Sequence, residues 1–157
     1  MKQIEEYNGF RDLRIVDNFY QTSSFFPMPT TEIGTLSENG DTNLGSYSLC
    51  FPYYIAGKDY YAMVLCCRNS SNTAKNILRT GKCTINFIPD NKKYFKEAVR
   101  LGYPGETTEE KMKHTIFHLV EGKSCKEHSE QYPKIVKEAF QVFECTWVRE
   151  LDGAEND

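Results

Sequence analysis

Residues 68–77 run Arg-Asn-Ser-Ser-Asn-Thr-Ala-Lys-Asn-Ile, an arginine and a hydroxyl- and amide-rich turn opening onto a helical pattern. A helix start offers unpaired backbone N–H groups and the positive end of the helix dipole, which together suit an anion. Arg68 adds a planar donor fork matched to phosphate, and Ser70, Ser71 and Thr73 add hydroxyl donors. The same letters also describe an ordinary helix cap, with Ser71 or Asn72 capping and Arg68 in solvent. A second stretch, residues 40–49, runs Gly-Asp-Thr-Asn-Leu-Gly-Ser-Tyr-Ser-Leu. Gly45 permits close approach to the backbone, and Asn43, Ser46 and Ser48 break the alternation of a plain strand. Exposed backbone donors and acceptors there suit a flat heteroaromatic ligand, although an edge strand leaving its turn would carry the same residues.

Other constellations carry less chemistry. His114-Thr115-Ile116-Phe117-His118 has the i, i+4 spacing of a zinc pair, but position 115 is threonine rather than a glutamate base, and no third ligand is evident. Half-exposed helix histidines without a metal are the expectation, and Cys125-Lys126-Glu127-His128 makes a thinner case still. Cys66 and Cys67 are neighbours whose side chains would leave a strand on opposite faces, so packing is expected rather than a redox pair. The six cysteines, at 50, 66, 67, 83, 125 and 145, lack CxxC pairing and fall largely in apolar runs. Reduced thiols acting as small hydrophobes follow. No Ser/His/Asp or paired-carboxylate arrangement is supported by spacing, so no catalytic residue is assigned.

The elements that must hold these stretches follow from periodicity and turn signals along 157 residues, enough for one domain with a self-sufficient core. Residues 1–26 form an aromatic-containing arm ending at Phe26-Pro27-Met28-Pro29. Strands are expected at 31–36 and 44–54, joined through the Asn-Gly turn signal of residues 38–41. The apolar run 60–68 predicts a strand buried on both faces. A helix at 73–80 has Ala74, Ile77 and Leu78 on one face and Gly81 as its stop. A strand at 82–88, a helix at 91–101, and a helix from the capping box Thr107-Thr108-Glu109-Glu110 to about residue 120 come next. A helical turn at 134–139 and a strand at 140–151, with Phe143, Cys145 and Trp147 alternating on one face, complete the chain. Hairpin-linked strands followed by helices predict a mainly β fold, a barrel with helical additions.

Net charge is −3, with 39% hydrophobic and 26% charged residues. No concentrated basic face marks a nucleic-acid binder; Lys92, Lys93, Lys96 and Arg100 predict a solvated helix face. No apolar run has the length of a membrane span, and residues 1–6 lack a signal peptide's apolar core. A cytoplasmic place is expected.

Taken together, the two polar stretches resemble the flavin-reductase-like family of FMN-binding split barrels. Asn-Leu-Gly-Ser-Tyr-Ser-Leu at 43–49 is similar to that family's Asn-Leu-Ala-Pro-Tyr-Ser-type motif. Arg68, Thr73, Asn76-Ile77, Thr80-Gly81 and the strand ending at Asn86 follow at family spacing, and Glu138-Ala139 with Glu144-Cys145 resembles its later strand. The likeness spans about residues 27–151 and divides the chain into an arm, 1–26, and a split-barrel domain, 27–157. It implies that Asn43, Gly45, Ser46, Tyr47 and Ser48 line the ring and ribityl chain of FMN. It also implies that Arg68, Ser70, Ser71 and Thr73 hold the phosphate, with Thr35 a further contact on the first strand. A homodimer with flavin near its interface, and NADH or NADPH as hydride donor, are the implied partners. Ser46 stands where the motif usually has proline, and the sequence ends at Asp157 where the family usually adds a strand, often with an upstream histidine. The leading expectation is an NAD(P)H-dependent FMN oxidoreductase; the rivals are a flavin-binding electron carrier or storage module, and an interaction protein that has lost its ligand.

Overall fold

A computed structural model describes residues 6–7, 10–11, 28–53, 62–103, 105, 107–129, 131–148 and 150. Strands β1 (Glu6–Tyr7) and β2 (Phe10–Arg11) pair antiparallel; the rest of the expected arm, and the segment 54–61, lie outside the described residues. β3 (Thr31–Leu36) and β4 (Thr42–Tyr47) form the hairpin that the Asn-Gly signal predicts, its turn closed by Ser37 N–H to Asp41 O and Gly40 N–H to Ser37 O. β5 (Cys50–Tyr53) and β6 (Ala62–Leu65) make a separate two-stranded ladder. Helix α1 (Asn72–Thr80) leads into β7 (Lys82–Phe87), followed by α2 (Lys92–Gly102) and α3 (Thr108–Lys113). β8 (Leu119–Val120), α4 (Lys123–His128), β9 (Ile135–Val136) and β10 (Gln141–Thr146) follow. The main sheet has the order β10-β7-β3-β4 with every pair antiparallel, so strands distant in the chain meet at its centre.

Both faces of that sheet are covered, and all six residues of β3 are buried. On one face Ile33, Cys83 and Ile85 pack with Ile77 of α1 and Cys50 of β5. On the other Leu44 packs with Ala98 and Leu101 of α2, Phe117 and Val136. Each fully buried Ile or Leu contributes roughly 1.5–3 kcal/mol through removal of apolar surface from water. Strands alternate their side chains between faces, so the register decides which residues of β4 meet α1 and which meet α2.

Several expectations change in the structure. The single strand expected at 44–54 is two, because the chain leaves the main sheet at Ser48 and Leu49 and the Leu49 carbonyl accepts from Cys66 N–H. Of the strand expected at 60–68 and buried on both faces, residues 62–65 form β6 and are half-buried, residues 66–68 leave the ladder, and residues 60 and 61 lie outside the described residues. On α1, Thr73 and Asn76 are buried with Ala74 and Ile77, while Leu78 is half exposed: polar residues share the inner face. The capping box at Thr107 and Glu110 forms, but α3 stops at Lys113 instead of running to 120. Thr115 and Ile116 are β-branched and lose side-chain freedom in a helix. The Glu97 carboxylate accepts from Ile116 N–H, and β8 pairs with β9, so tertiary bonds draw this stretch out of helical geometry. His114 and His118 therefore do not share a helix; the His118 ring meets Glu138. The helical turn expected at 134–139 is β9 and a turn, for the same pairing reason. All six cysteines are free thiols.

Gly81 ends α1 at φ +70°, with its N–H donating to Ile77 O at 2.7 Å. An L side chain in that left-handed geometry costs roughly 1–2 kcal/mol. Gly81→Ala is therefore expected to lower the urea-unfolding free energy by about that amount with an unchanged m-value.

Candidate functional site

The start of α1 is organised by Ser71, which the sequence offers as one of two possible caps. Its backbone is extended, its hydroxyl oxygen accepts from Ala74 N–H at 3.1 Å, and its carbonyl accepts from Lys75 N–H at 3.1 Å. Ser71 N–H in turn donates to Arg68 O at 2.9 Å, folding residues 68–71 into a turn. Helical geometry supplies no partner for the next two N–H groups, those of Asn72 and Thr73. Arg68 and Ser70 are exposed on the turn, Ser71 is half-buried, and Thr73 is buried.

Thr73 is buried because it lies against β4. A Cβ placed on Gly45 would stand 2.8 Å from Thr73 Oγ1, a distance real Cβ atoms do not tolerate. Glycine at 45 thus lets the helix start seat itself on the strand backbone. The two polar stretches, separated in sequence, meet at this contact. Beneath it, Thr35 and Asn43 face each other across β3 and β4, both buried. Asn76 Nδ2 donates to Thr35 Oγ1 at 3.1 Å, and Asn76 Oδ1 accepts from Arg79 Nη2 at 3.2 Å. Thr108 Oγ1 donates to Asn43 Oδ1 at 3.4 Å, bringing α3 to the same edge.

Ser46 points toward α2, near Gly102, and its hydroxyl donates to Glu32 Oε1 at 2.7 Å. Ser46, Tyr47 and Ser48 line a cleft of about 410 Å³ with Thr30, with Phe95 and Val99 of α2, and with Tyr103 just past the end of that helix. The structure therefore splits the candidates into two groups: Thr35, Asn43, Gly45, Ser71 and Thr73 where α1 begins, and Ser46 and Ser48 at the apolar cleft, with Tyr47 bordering both. Arg68 and Ser70 are exposed on the turn that precedes Ser71.

A wider hollow of about 720 Å³ is bordered by Lys92, Lys93, Lys96, Glu97 and Arg100. The three lysines are exposed, in keeping with a solvated helix face. Burial works against the Glu97 charge, but hydrogen bonds from Arg100 and Thr115 hold its carboxyl below the ordinary range. Burial pushes the Cys67 thiol up despite a Ser71 hydrogen bond and pushes Cys50 up to about 11, whereas a hydrogen bond from Cys83 holds the Cys145 thiol below the ordinary range. Among the described residues, no group of three His, Cys, Asp or Glu side chains is placed to hold a metal, and no helix is long and apolar enough to cross a membrane.

Two residues of the site carry roles that local reading does not supply, Asn76 being marked only by the family spacing and Glu32 not at all. Asn76 meets Thr35 across 41 residues and Glu32 meets Ser46 across 14. Strand register brings Glu32 to Ser46, and the packing of α1 on β3 brings Asn76 to Thr35.

The sequence profile of a family described as "Flavin reductase like domain" matches residues 57–157. No curated protein matches the chain in sequence. Among solved structures, the NADH:FAD oxidoreductase of Streptomyces globisporus with NAD and FAD fragments superposes with a TM-score of 0.67 at 10% identity, covering 91% of this chain and 77% of that one. A candidate flavin reductase with a split barrel domain from Shewanella frigidimarina gives 0.64 at 20% identity over 88% of this chain and 64% of its own. Flavoredoxin from Methanosarcina acetivorans gives 0.61 at 20% identity over 98% and 68%. The mainly β architecture with its few helices is that of a split barrel.

Proposed function

The chain belongs to the flavin reductase-like family, and on that premise we propose that it is an FMN-binding oxidoreductase taking hydride from NADH or NADPH. The observation that carries the reading is the seating of Thr73 on Gly45, which joins the phosphate-type turn to the ring-type strand. At the α1 start, the N–H groups of Asn72 and Thr73, the hydroxyls of Ser70, Ser71 and Thr73, and the Arg68 guanidinium form a donor-rich rim suited to a phosphate dianion. Asn43 and Gly45, with the Tyr47 ring beside Gly45, would form the surface for the ribityl chain and ring, Ser46 and Ser48 would border it from the cleft, and Thr35 supports from β3. When bound, the flavin would supply the hydride and electron chemistry; the protein's part is to bind and orient it.

The family match begins at residue 57, yet β3 and β4 lie in the same sheet as β7, so residues 27–157 are taken as one flavin-binding unit with 1–26 as an arm. Phe95, Val99 and Tyr103 leave apolar surface beside the cleft, which a second copy in a homodimer would cover. A cytoplasmic place fits six free thiols.

Purified protein loaded with FMN is expected to lose its yellow absorbance within seconds when NADH or NADPH is added without oxygen, and to regain it in air. Bleaching by dithionite with neither nicotinamide effective would replace the enzyme reading with that of a flavin-binding electron carrier. Absence of any flavin band after loading would overturn both.

A further inference from the structure

Glu32 is the second residue of β3 and has no solvent exposure. Its Oε1 accepts from the Ser46 hydroxyl, while Oε2 has no hydrogen-bond partner among the described residues. Buried carboxylates normally gather donors at both oxygens, because an unpaired charged oxygen is costly away from water. The groups around it supply few. From β7, Asn86 Nδ2 donates to the Glu32 backbone carbonyl at 2.9 Å, not to the carboxyl. From α2, Glu97 disfavours a second negative charge, although Arg100 is paired with it; from α3, Lys111 favours the charge. Lys134, on the segment before β9, is exposed and its carbonyl accepts from Thr84. Burial is the largest influence and pushes the Glu32 carboxyl up to about 7, with the Ser46 bond opposing it.

Ser46 also lines the cleft beside β4. A hydroxyl has one proton to donate and two lone pairs. With Glu32 ionised, that proton is committed to Oε1, and Ser46 can only accept from a group in the cleft. With Glu32 protonated by one proton from solvent, the carboxyl can donate to Ser46 Oγ, and the Ser46 proton is released toward the cleft. We propose that Glu32 is a positioning residue acting through Ser46, and that its protonation switches the hydroxyl facing the cleft from hydrogen-bond acceptor to donor.

The inference rests on the flavin reading for the identity of the ligand. An oxidised flavin ring edge presents carbonyl and imine acceptors and one N–H, so the donor state of Ser46 is the better match. Binding should then draw a proton onto Glu32.

The test has two arms. Infrared spectra of the ligand-free protein across pH 5.5–8.5 should show a protonated carboxyl that titrates near neutrality. That band should be absent in Glu32→Gln and move to higher pH in Ser46→Ala, which loses the bond favouring the carboxylate. No such band, or an unchanged band in Glu32→Gln, overturns the proposal. The second arm measures affinity by fluorescence with riboflavin, which lacks FMN's own titrating phosphate. Binding should tighten roughly 3- to 10-fold as pH falls through the carboxyl midpoint, the worth of one neutral hydrogen bond. In Ser46→Ala, affinity should not vary with pH, although Glu32 still titrates. A slope that persists in Ser46→Ala, or is missing from wild type, overturns the role of Ser46. If no flavin binds at any pH, the flavin reading falls, and the Glu32–Ser46 couple is decided by the infrared midpoints alone.

Discussion

Arg68→Ala is expected to weaken FMN binding by about one to two orders of magnitude while leaving riboflavin binding unchanged. Arg68 is exposed on the turn that Ser71 N–H closes onto its carbonyl, immediately ahead of the α1 start. A charge-assisted bond to a phosphate contributes roughly 1.5–3 kcal/mol, and each 1.4 kcal/mol corresponds to about tenfold in affinity. Arg68→Lys should recover only part of the loss, since an ammonium keeps the charge without the planar fork. Thr73→Val fills the same space against Gly45 but removes one hydroxyl, so its effect on FMN should be smaller, about 1 kcal/mol. Fluorescence titration of the apoprotein with both ligands separates the alternatives. Equal weakening of riboflavin and FMN would make Arg68 a support of its own loop rather than a phosphate ligand.

The parts of this site visible in the sequence are those set by neighbours in the chain. The Asn-Gly turn, the Gly81 stop and the Thr107 capping box each depend on a few adjacent residues, and each forms as expected. The cap at Ser71 and the glycine at 45 are also marked by residue type, although only the fold shows that Thr73, two residues past the cap, sits on Gly45. What escapes local reading is decided at long range. The stretch from His114 to Val120 has a helical apolar spacing, but Glu97 and β9 supply better partners for its backbone. Leu78 looks like a core position by periodicity, yet α1 turns Thr73 and Asn76 inward because buried acceptors and a missing side chain on β3 and β4 await them. Glu32 appears in the sequence as an ordinary strand carboxylate; its isolation arises from coverage of both sheet faces.

Asn86 shows how a residue named by resemblance acquires a physical role, and its replacement should produce the largest change in stability. It is fully buried at the centre of the sheet, paired in register with Glu32 on one side and Val142 on the other. Its amide donates to Glu32 O at 2.9 Å and Thr84 Oγ1 at 3.2 Å, while its Oδ1 accepts from Val136 N–H at 2.9 Å. One side chain thereby ties β3 and β7 to β9, whose Val136 packs under α2. Asn86→Leu strands the Val136 N–H in a dry core and removes both donated bonds. An orphaned buried donor costs about 1–3 kcal/mol and each lost bond about 0.5–1.5 kcal/mol, so a loss of roughly 3–4 kcal/mol is expected. For a chain of this size that lowers Tm by about 10 °C, measurable by calorimetry. Asn86→Asp supplies the sharper comparison. It keeps an acceptor for Val136 but sets a buried carboxylate against the Glu32 carbonyl, which raises its folded-state pKa above the unfolded value. Protonation restores one donor, so the variant should be nearest wild type at acidic pH and lose stability as pH rises through that pKa. If Asn86→Leu unfolds within 2–3 °C of wild type, or Asn86→Asp loses no stability relative to wild type as pH rises, the buried amide is not the pin between the sheet and β9.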